Sequence, residues 1–250
     1  MISGGRIPRT LIKRTAVHVF NFFRMGIKEK YKITEISKKQ AEPFLLERHY
    51  ARRMCPMTYV YGLFFNEELI GICVFGTSAN RNNNSIGDFK VIELNRLFTE
   101  DGVEKNVLSH FVAECLKKLP SPIIVISYAD PNNGHKGYIY QATNWLYFGQ
   151  GHRQDGRRDT GITQFRKDGK MYHAKTVSGL IGSSSKKVAE EHGFERLFLP
   201  PKHKYGYLIG NKKQRGEMLK QIKYPILPYP KGDNVNYDTG EFNDTQPKLF

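Results

Sequence analysis

The feature that most constrains this chain is a helix, a stop and a buried strand in immediate succession. Residues 103–119 place Val107, Leu108, Phe111, Val112, Cys115, Leu116 and Leu119 on one helical face. Pro120-Ser121-Pro122 ends that helix. Residues 123–128 then form an unbroken apolar run, a pattern that requires a strand covered on both faces. A strand of that kind sits at the centre of a mixed or parallel sheet, with helices packed on it.

The neighbouring segments supply the rest of such a sheet. Residues 31–34 read as a short strand, and Ser37 as the N-cap of a helix over 38–50. Residues 59–65 and 69–75 form a hairpin across Asn66-Glu67-Glu68. Residues 78–88, rich in Asn, read as a loop, and 89–98 alternate as a strand with Glu93 and Arg96 on opposite faces. A helix is expected over 135–145, a loop and hairpin over 149–175, a short helix over 178–192 and a last strand over 202–210. The order predicts an α/β (or α+β) fold with a central mixed sheet flanked by helices. Three parts are expected: a basic arm over 1–30, a domain over 31–223, and an extended tail over 224–250.

The chain has 39 Lys and Arg against 24 Asp and Glu, a formal charge of +15. The arm alone holds Arg6, Arg9, Lys13, Arg14, Arg24, Lys28 and Lys30 against Glu29. Such an excess favours a polyanionic partner. The arm reads either as a strip lying on that partner or as a helix packed on the body. No 18-residue apolar run is present, so no membrane-spanning helix is expected. Cys55, Cys73 and Cys115 form no CxxC pair and read as packing residues of a reducing, cytoplasmic compartment.

No Walker A loop, GxGxxG loop or paired-His zinc helix is found. Candidate chemistry falls at the ends of core elements. His49 and Tyr50 end the first helix, and Asn95 and Arg96 lie in the 89–98 strand. Ser127, Tyr128 and Asp130 close the apolar strand, where open α/β sheets bind ligands. Asp130, before Pro131, fits either a functional carboxylate or a turn cap. The start of the 103–119 helix, with Gly102, Lys105 and Asn106, could receive a phosphate.

Several blocks, in order, resemble the phage Mom family of DNA-modification proteins. They are Glu47-Arg48-His49-Tyr50, Phe75-Gly76, Ala79-Asn80-Arg81, Glu93-Leu94-Asn95-Arg96-Leu97, Ser127-Tyr128-Ala129-Asp130-Pro131, Gly134-His135 and Ile139-Tyr140-Gln141-Ala142-Thr143-Asn144-Trp145. Asp168-Gly169-Lys170, His173 and Lys175-Thr176 fit downstream. The resemblance implies a GNAT-like acyltransferase fold. It also implies conversion of adenine in double-stranded DNA to N6-carbamoylmethyladenine, which protects phage DNA from host restriction, in the host cytoplasm.

On that resemblance His49, Tyr50, Asp130 and Ser127 are the catalytic candidates. Asn95, Arg96, Lys105 and Asn106 are the donor-binding candidates. Arg81, Tyr128, Tyr140, Asn144, Arg157, Arg158, His173 and Lys175 are the DNA-contact candidates, and Tyr50, Tyr128 or Trp145 could stack on the base. The usual GNAT pyrophosphate loop is absent over 98–105, where the chain is acidic. The donor is therefore acetyl-CoA held differently, or another acyl or aminoacyl carrier. Joining carbon through a methylene also suggests iron or another divalent metal on His49, Tyr50 and Asp130. The competing readings are a GNAT-like acyltransferase acting on a small molecule or protein, and a non-catalytic DNA-binding protein.

Overall fold

A computed structural model describes residues 26–78, 83–159 and 161–231. Within them a helical turn α1 (Ile27–Lys30) leads into β1 (Tyr31–Glu35). Helix α2 (Lys38–Pro43) starts at Ser37, whose hydroxyl accepts from the Gln40 backbone N–H in a capping box. It continues as a wider π turn over Phe44–Arg48 and stops before His49. The hairpin of β2 (Tyr59–Phe65) and β3 (Glu68–Gly76) follows. Next come a short β4 (Ser85–Ile86), the long β5 (Phe89–Thr99), α3 (Val107–Lys117) and β6 (Ile123–Ala129).

The second half holds α4 (Tyr138–Ala142), β7 (Leu146–Gln150), the hairpin β8 (Ile162–Lys167) and β9 (Lys170–His173), α5 (Ala174–Ile181) and α6 (Lys186–Glu191). It ends with β10 (Glu195–Leu199), β11 (His203–Ile209) and α7 (Lys212–Gln221). Two sheets result. The large mixed sheet runs β1-β2-β3-β5-β6-β11-β7, with β4 paired to β5, and a small antiparallel sheet runs β10-β8-β9.

The sheet confirms the expected fold class and adds detail that the chain order hid. The strand β11 is not a terminal edge: it pairs with both β6 and β7. The expected helix over 135–145 shrinks to α4, because the chain turns at Asn144, whose φ is +60°, and β7 starts after the buried Trp145. Residues 224–231 are not a free tail where described. Tyr224 is buried, Leu227 bridges Tyr147, and the Tyr229 hydroxyl donates to the Trp145 carbonyl at 2.7 Å.

Helix α3 buries Val107, Phe111, Val112, Cys115 and Leu116 on one face of the sheet. Each large apolar side chain so covered contributes about 1.5–3 kcal/mol. The opposite face carries two separate clusters. One gathers Ala41, Phe44 and Leu45 over Val60, Val74 and Phe98. The other gathers Met218 and Tyr224 over Val91, Ile124, Ile126 and Phe148. On β5, Val91 belongs to the second cluster and Phe98 to the first, so Glu93 and Arg96 fall between them.

A register shift fixes that placement. Along β3–β5, Val74 pairs with Arg96 but Phe75 pairs with Leu94, leaving Asn95 as an extra residue. Such a bulge resets the alternation of the strand. The expectation that Glu93 and Arg96 face opposite ways is therefore corrected: one inserted residue puts both in the same cleft.

Candidate functional site

The parallel ladder between β5 and β6 pairs Val91 with Ile124, Ile92 with Val125 and Glu93 with Ile126, and ends there. Beyond it the Leu94 carbonyl accepts from the Ser127 hydroxyl at 2.9 Å instead of from a strand amide. The two strands part where the bulge begins. A cleft of about 880 Å³ opens at this split, on the carboxyl side of both strands. Its walls come from β5, β6, β11, the 49–56 segment and the 151–162 loop. Arg53, Arg96, Arg153, Lys202 and Lys204 line it, against Glu93, Asp155 and Asp159.

Glu93 is the carboxylate on the floor of this cleft. Burial raises its pKa above the ordinary value, and this outweighs a hydrogen bond with Ser78 and the nearby Arg96, Lys202 and Lys204 charges. The Lys204 ammonium lies 3.1 Å from the Tyr224 hydroxyl, 4.3 Å from the Tyr224 ring centre and 5.4 Å from that of Tyr128. Burial pulls its pKa down to about 8, partly opposed by Glu93 and Asp159. Asn83 donates to the Tyr128 hydroxyl at 2.9 Å and ties that ring to the loop after β3.

His49 stands at the other wall, at the end of the π turn. Its Nδ1 accepts the Ala51 backbone N–H at 3.0 Å, so the neutral ring carries its proton on Nε2. Burial, with Arg96, His135 and Arg53 beside it, lowers its pKa to about 4. A ring so arranged donates a hydrogen bond; it does not collect a proton near neutral pH. Tyr50, half exposed, lies tilted against it with ring centres 4.5 Å apart and meets His135 edge-on at 6.1 Å. Gly137, in the same wall, has φ of +78°, and a Cβ there would lie 2.4 Å from the Tyr205 ring.

The structure thus brings together His49, Tyr50, Asn95, Arg96, Ser127, Tyr128 and Tyr140 of the sequence candidates. Their roles differ from those expected. Ser127 and Tyr140 are buried and lie 2.7 Å apart, and Ser127 gives its own proton to Leu94. Its hydroxyl is occupied in holding the split rather than free for an oxyanion. Asn95 donates to the Pro56 carbonyl at 2.9 Å, and Arg96 to the Asn95 carbonyl at 2.6 Å, leaving the buried Arg96 Nε without a protein acceptor.

Other candidates lie elsewhere. Asp130 is outside the cleft lining: its carboxylate caps Asn132 at 3.0 Å and pairs with Lys202 at 3.0 Å. Burial works to raise its pKa, but those partners outweigh it and the net shift is downward. Lys105 and Asn106 at the start of α3 do not reach the cleft. The acidic segment before α3 is paired instead, Glu104 with Lys30 at 2.9 Å and Glu100 with Arg48. Asn106 and Asn144 line a separate groove with Ser109, His110 and Tyr207. His173 caps α5 through Nδ1, accepting from Lys175 N at 3.2 Å. Arg157 pairs with Asp155 at 2.7 Å, and Arg158 points to the Gln150 carbonyl at 3.4 Å. Trp145 is fully buried and offers no face to a base. Arg81 lies outside the described residues.

The groups expected to hold a metal are already engaged. The Asp130 carboxylate is engaged by Asn132 and Lys202, and His49 Nδ1 by a backbone amide. Among the described residues no group of three or more His, Cys, Asp or Glu side chains could hold a metal ion. His49, Tyr50 and Asp130 do not form a metal centre here. No described helix is long and apolar enough to cross a membrane.

Glu93 and Lys204 are the residues that sequence reasoning undervalued. Glu93 was legible as a charge interrupting an apolar strand. Lys204 lies on the expected last strand, and its burial there depends on partners that local spacing does not show.

Fold and cleft together define an α/β protein with a split mixed sheet and a cation-lined cleft at the split. The profile of the Mom protein family matches residues 30–231, and the chain belongs to that family. It is 27% identical over 216 residues to the methylcarbamoylase Mom of Escherichia phage Mu, covering 82% of this chain and 86% of that protein. Solved structures overlap more loosely. A GNAT family acetyltransferase from Elizabethkingia anophelis with acetyl-CoA bound gives a TM-score of 0.38 at 10% identity, over 73% of this chain and 100% of the other. Arabidopsis thaliana NAA60 in complex with acetyl-CoA gives 0.41 at 11% identity, over 72% and 99%.

Proposed function

We propose that the chain is a DNA-modifying transferase that converts adenine in double-stranded DNA to N6-carbamoylmethyladenine. The observation that carries this reading is the desolvated Glu93 carboxylate at the β5–β6 split, in a cation-lined cleft of a Mom family chain.

The chemistry follows from the nucleophile. The adenine N6 lone pair is delocalised into the ring, so the amine reacts only as its proton leaves. A base buried at a duplex centre cannot reach a cleft floor, so the nucleotide must leave the stack. Glu93 accepts the N6 proton while N6 bonds to the methylene carbon of the donor. The bond from that carbon to the leaving group breaks, and its electron pair departs with the leaving group. A carboxylate with a raised pKa is a stronger base than an ordinary one.

Lys204 places a positive charge near Glu93, which works against the upward shift of its pKa. Tyr50, half exposed, offers a ring face for the incoming base, and His49 offers an Nε2 proton to an acceptor on base or donor. The Arg96 guanidinium, in the cleft wall, places its positive charge where the donor's carbonyl oxygen would lie. A donor for this step carries a leaving group on the methylene of a carbamoylmethyl unit and would enter the same split; acetyl-CoA, with no leaving group on its methyl carbon and no amide nitrogen, does not supply it in one step. The basic periphery would bring phosphates to the cleft mouth.

The reading is tested by plasmid DNA from cells expressing the chain. The expected result is resistance to restriction enzymes with adenine in their sites, lost in the E93Q variant. Equal cleavage of plasmid from expressing and non-expressing cells would refute it.

A further inference from the structure

The small sheet carries an aromatic that the core does not use. Phe198, on β10, is 64% exposed, whereas Phe165 and Phe194 of the same unit are buried in its core with Val177 and Ala189. Phe198 pairs with Thr163 on β8, so a hydrogen-bonded ladder holds its backbone. Its ring lies over Gly161, where a Cβ would approach the ring to 2.2 Å. Gly161 and Ile162 line the cleft, as do Pro201 and Lys202 just beyond β10. The ring therefore stands at the rim of the cleft, fixed on a strand and seated on bare backbone.

Its surroundings are cationic. Arg196, two residues earlier on β10, is exposed and reaches the Thr163 hydroxyl at 3.4 Å. Lys202, on the cleft side, is partly exposed and 3.0 Å from Asp130. A rigid, exposed aromatic between cations beside a base-sized cleft has the chemistry of a group that enters a base stack flanked by phosphates.

We propose that Phe198 is a wedge that fills the space left in duplex DNA when a nucleotide turns into the cleft. The proposal rests on the reading of the cleft as a pocket for a DNA base. Opening a pair leaves unstacked neighbours, and an aromatic ring placed between them recovers stacking. Losing one base–aromatic stack by alanine substitution lowers the flipped population by about ten- to a hundredfold. Phe198 touches neither the reacting atoms nor the donor; it is a positioning residue.

The test uses the full chain and a mixed-sequence duplex carrying 2-aminopurine in place of its adenines. No donor is needed, because this analogue brightens when it leaves the stack. The wild-type chain is expected to raise the emission. Phe198→Ala is expected to bind the duplex within about threefold of wild type while losing at least about tenfold of the emission rise. Phe198→Leu keeps an apolar wedge and should retain most of it. Gly161→Ala displaces the ring and should mimic Phe198→Ala. A full rise with Phe198→Ala, or a loss of emission matched by an equal loss of binding, overturns the wedge.

Nucleoside analysis of DNA from expressing cells separates the two readings. Adenine modification with an emission rise independent of Phe198 removes only the wedge. No adenine modification by the wild-type chain removes the base-pocket reading and the wedge with it.

Discussion

Replacing Glu93 by Gln separates catalysis from structure more sharply than any other change. The substitution keeps shape and one hydrogen-bonding oxygen for Ser78, and removes only the charge. Loss of a positioned general base costs about 10²–10⁴ in rate, or about 3–5 kcal/mol of transition-state stabilisation. Stability should move the other way. Burial raises the Glu93 pKa in the fold. Between its unfolded and folded values the native state binds more protons than the unfolded chain, so stability falls as pH rises through that window. Wherever Glu93 is ionised in the fold its charge is therefore a net cost to folding, and E93Q removes that cost. The assay pairs adenine modification per cell with the melting temperature of the purified variant at pH 5 and pH 7. Modification should fall by at least about a hundredfold while Tm at pH 7 is unchanged or raised. A variant that loses activity and Tm together would refute the reasoning, because Glu93 would then be holding the cleft rather than acting in it.

The other expectations concern separate parts of the site. Activity should rise with pH as Glu93 ionises and fall as Lys204 loses its proton near 8; in K204R, whose charge persists, the alkaline fall should disappear from the pH–rate profile. His49 has a folded pKa of about 4 against an ordinary 6.5, so it stabilises the fold fully above pH 6.5 and loses that contribution as pH falls toward 4. Its share is at most about 3 kcal/mol, and urea unfolding of H49N should show a flatter acid dependence than wild type. Gly137→Ala combines a φ of +78° with a clash at the Tyr205 ring. It should cost about 1–2 kcal/mol from backbone alone, with more from the clash, as read by urea unfolding.

Much of the sheet was legible because apolar periodicity reports burial. The β2–β3 hairpin, β5, β6 and the core face of α3 all follow from alternation or helical spacing. What stayed hidden depends on partners distant in sequence. The bulge at Asn95 exists only in the register of β5 against β3, so alternation placed Glu93 and Arg96 apart when they share a cleft. The second partner of β11, β7, is short and fell partly between the expected helix (135–145) and loop (149–175) and partly in that loop, so the pairing was not legible. Burial of β11 between β6 and β7 makes Lys204 a cleft residue. Helix α7 has little apolar patterning; only Met218 is buried, and an Asn211–Gln214 capping box starts it. Asp130 drew attention because it ends a buried strand, but the following turn and Lys202 claim its oxygens. Nothing in local spacing distinguishes that cap from a catalytic carboxylate.

The central claim is that this cleft alkylates adenine N6 with Glu93 as base. It is tested most directly by mass spectrometry of nucleosides from DNA of cells expressing either the wild-type chain or E93Q. N6-carbamoylmethyl-deoxyadenosine is expected in the first digest and near absence of it in the second, at equal levels of folded protein. Unmodified adenosine in both digests, or equal modification in both, would contradict it.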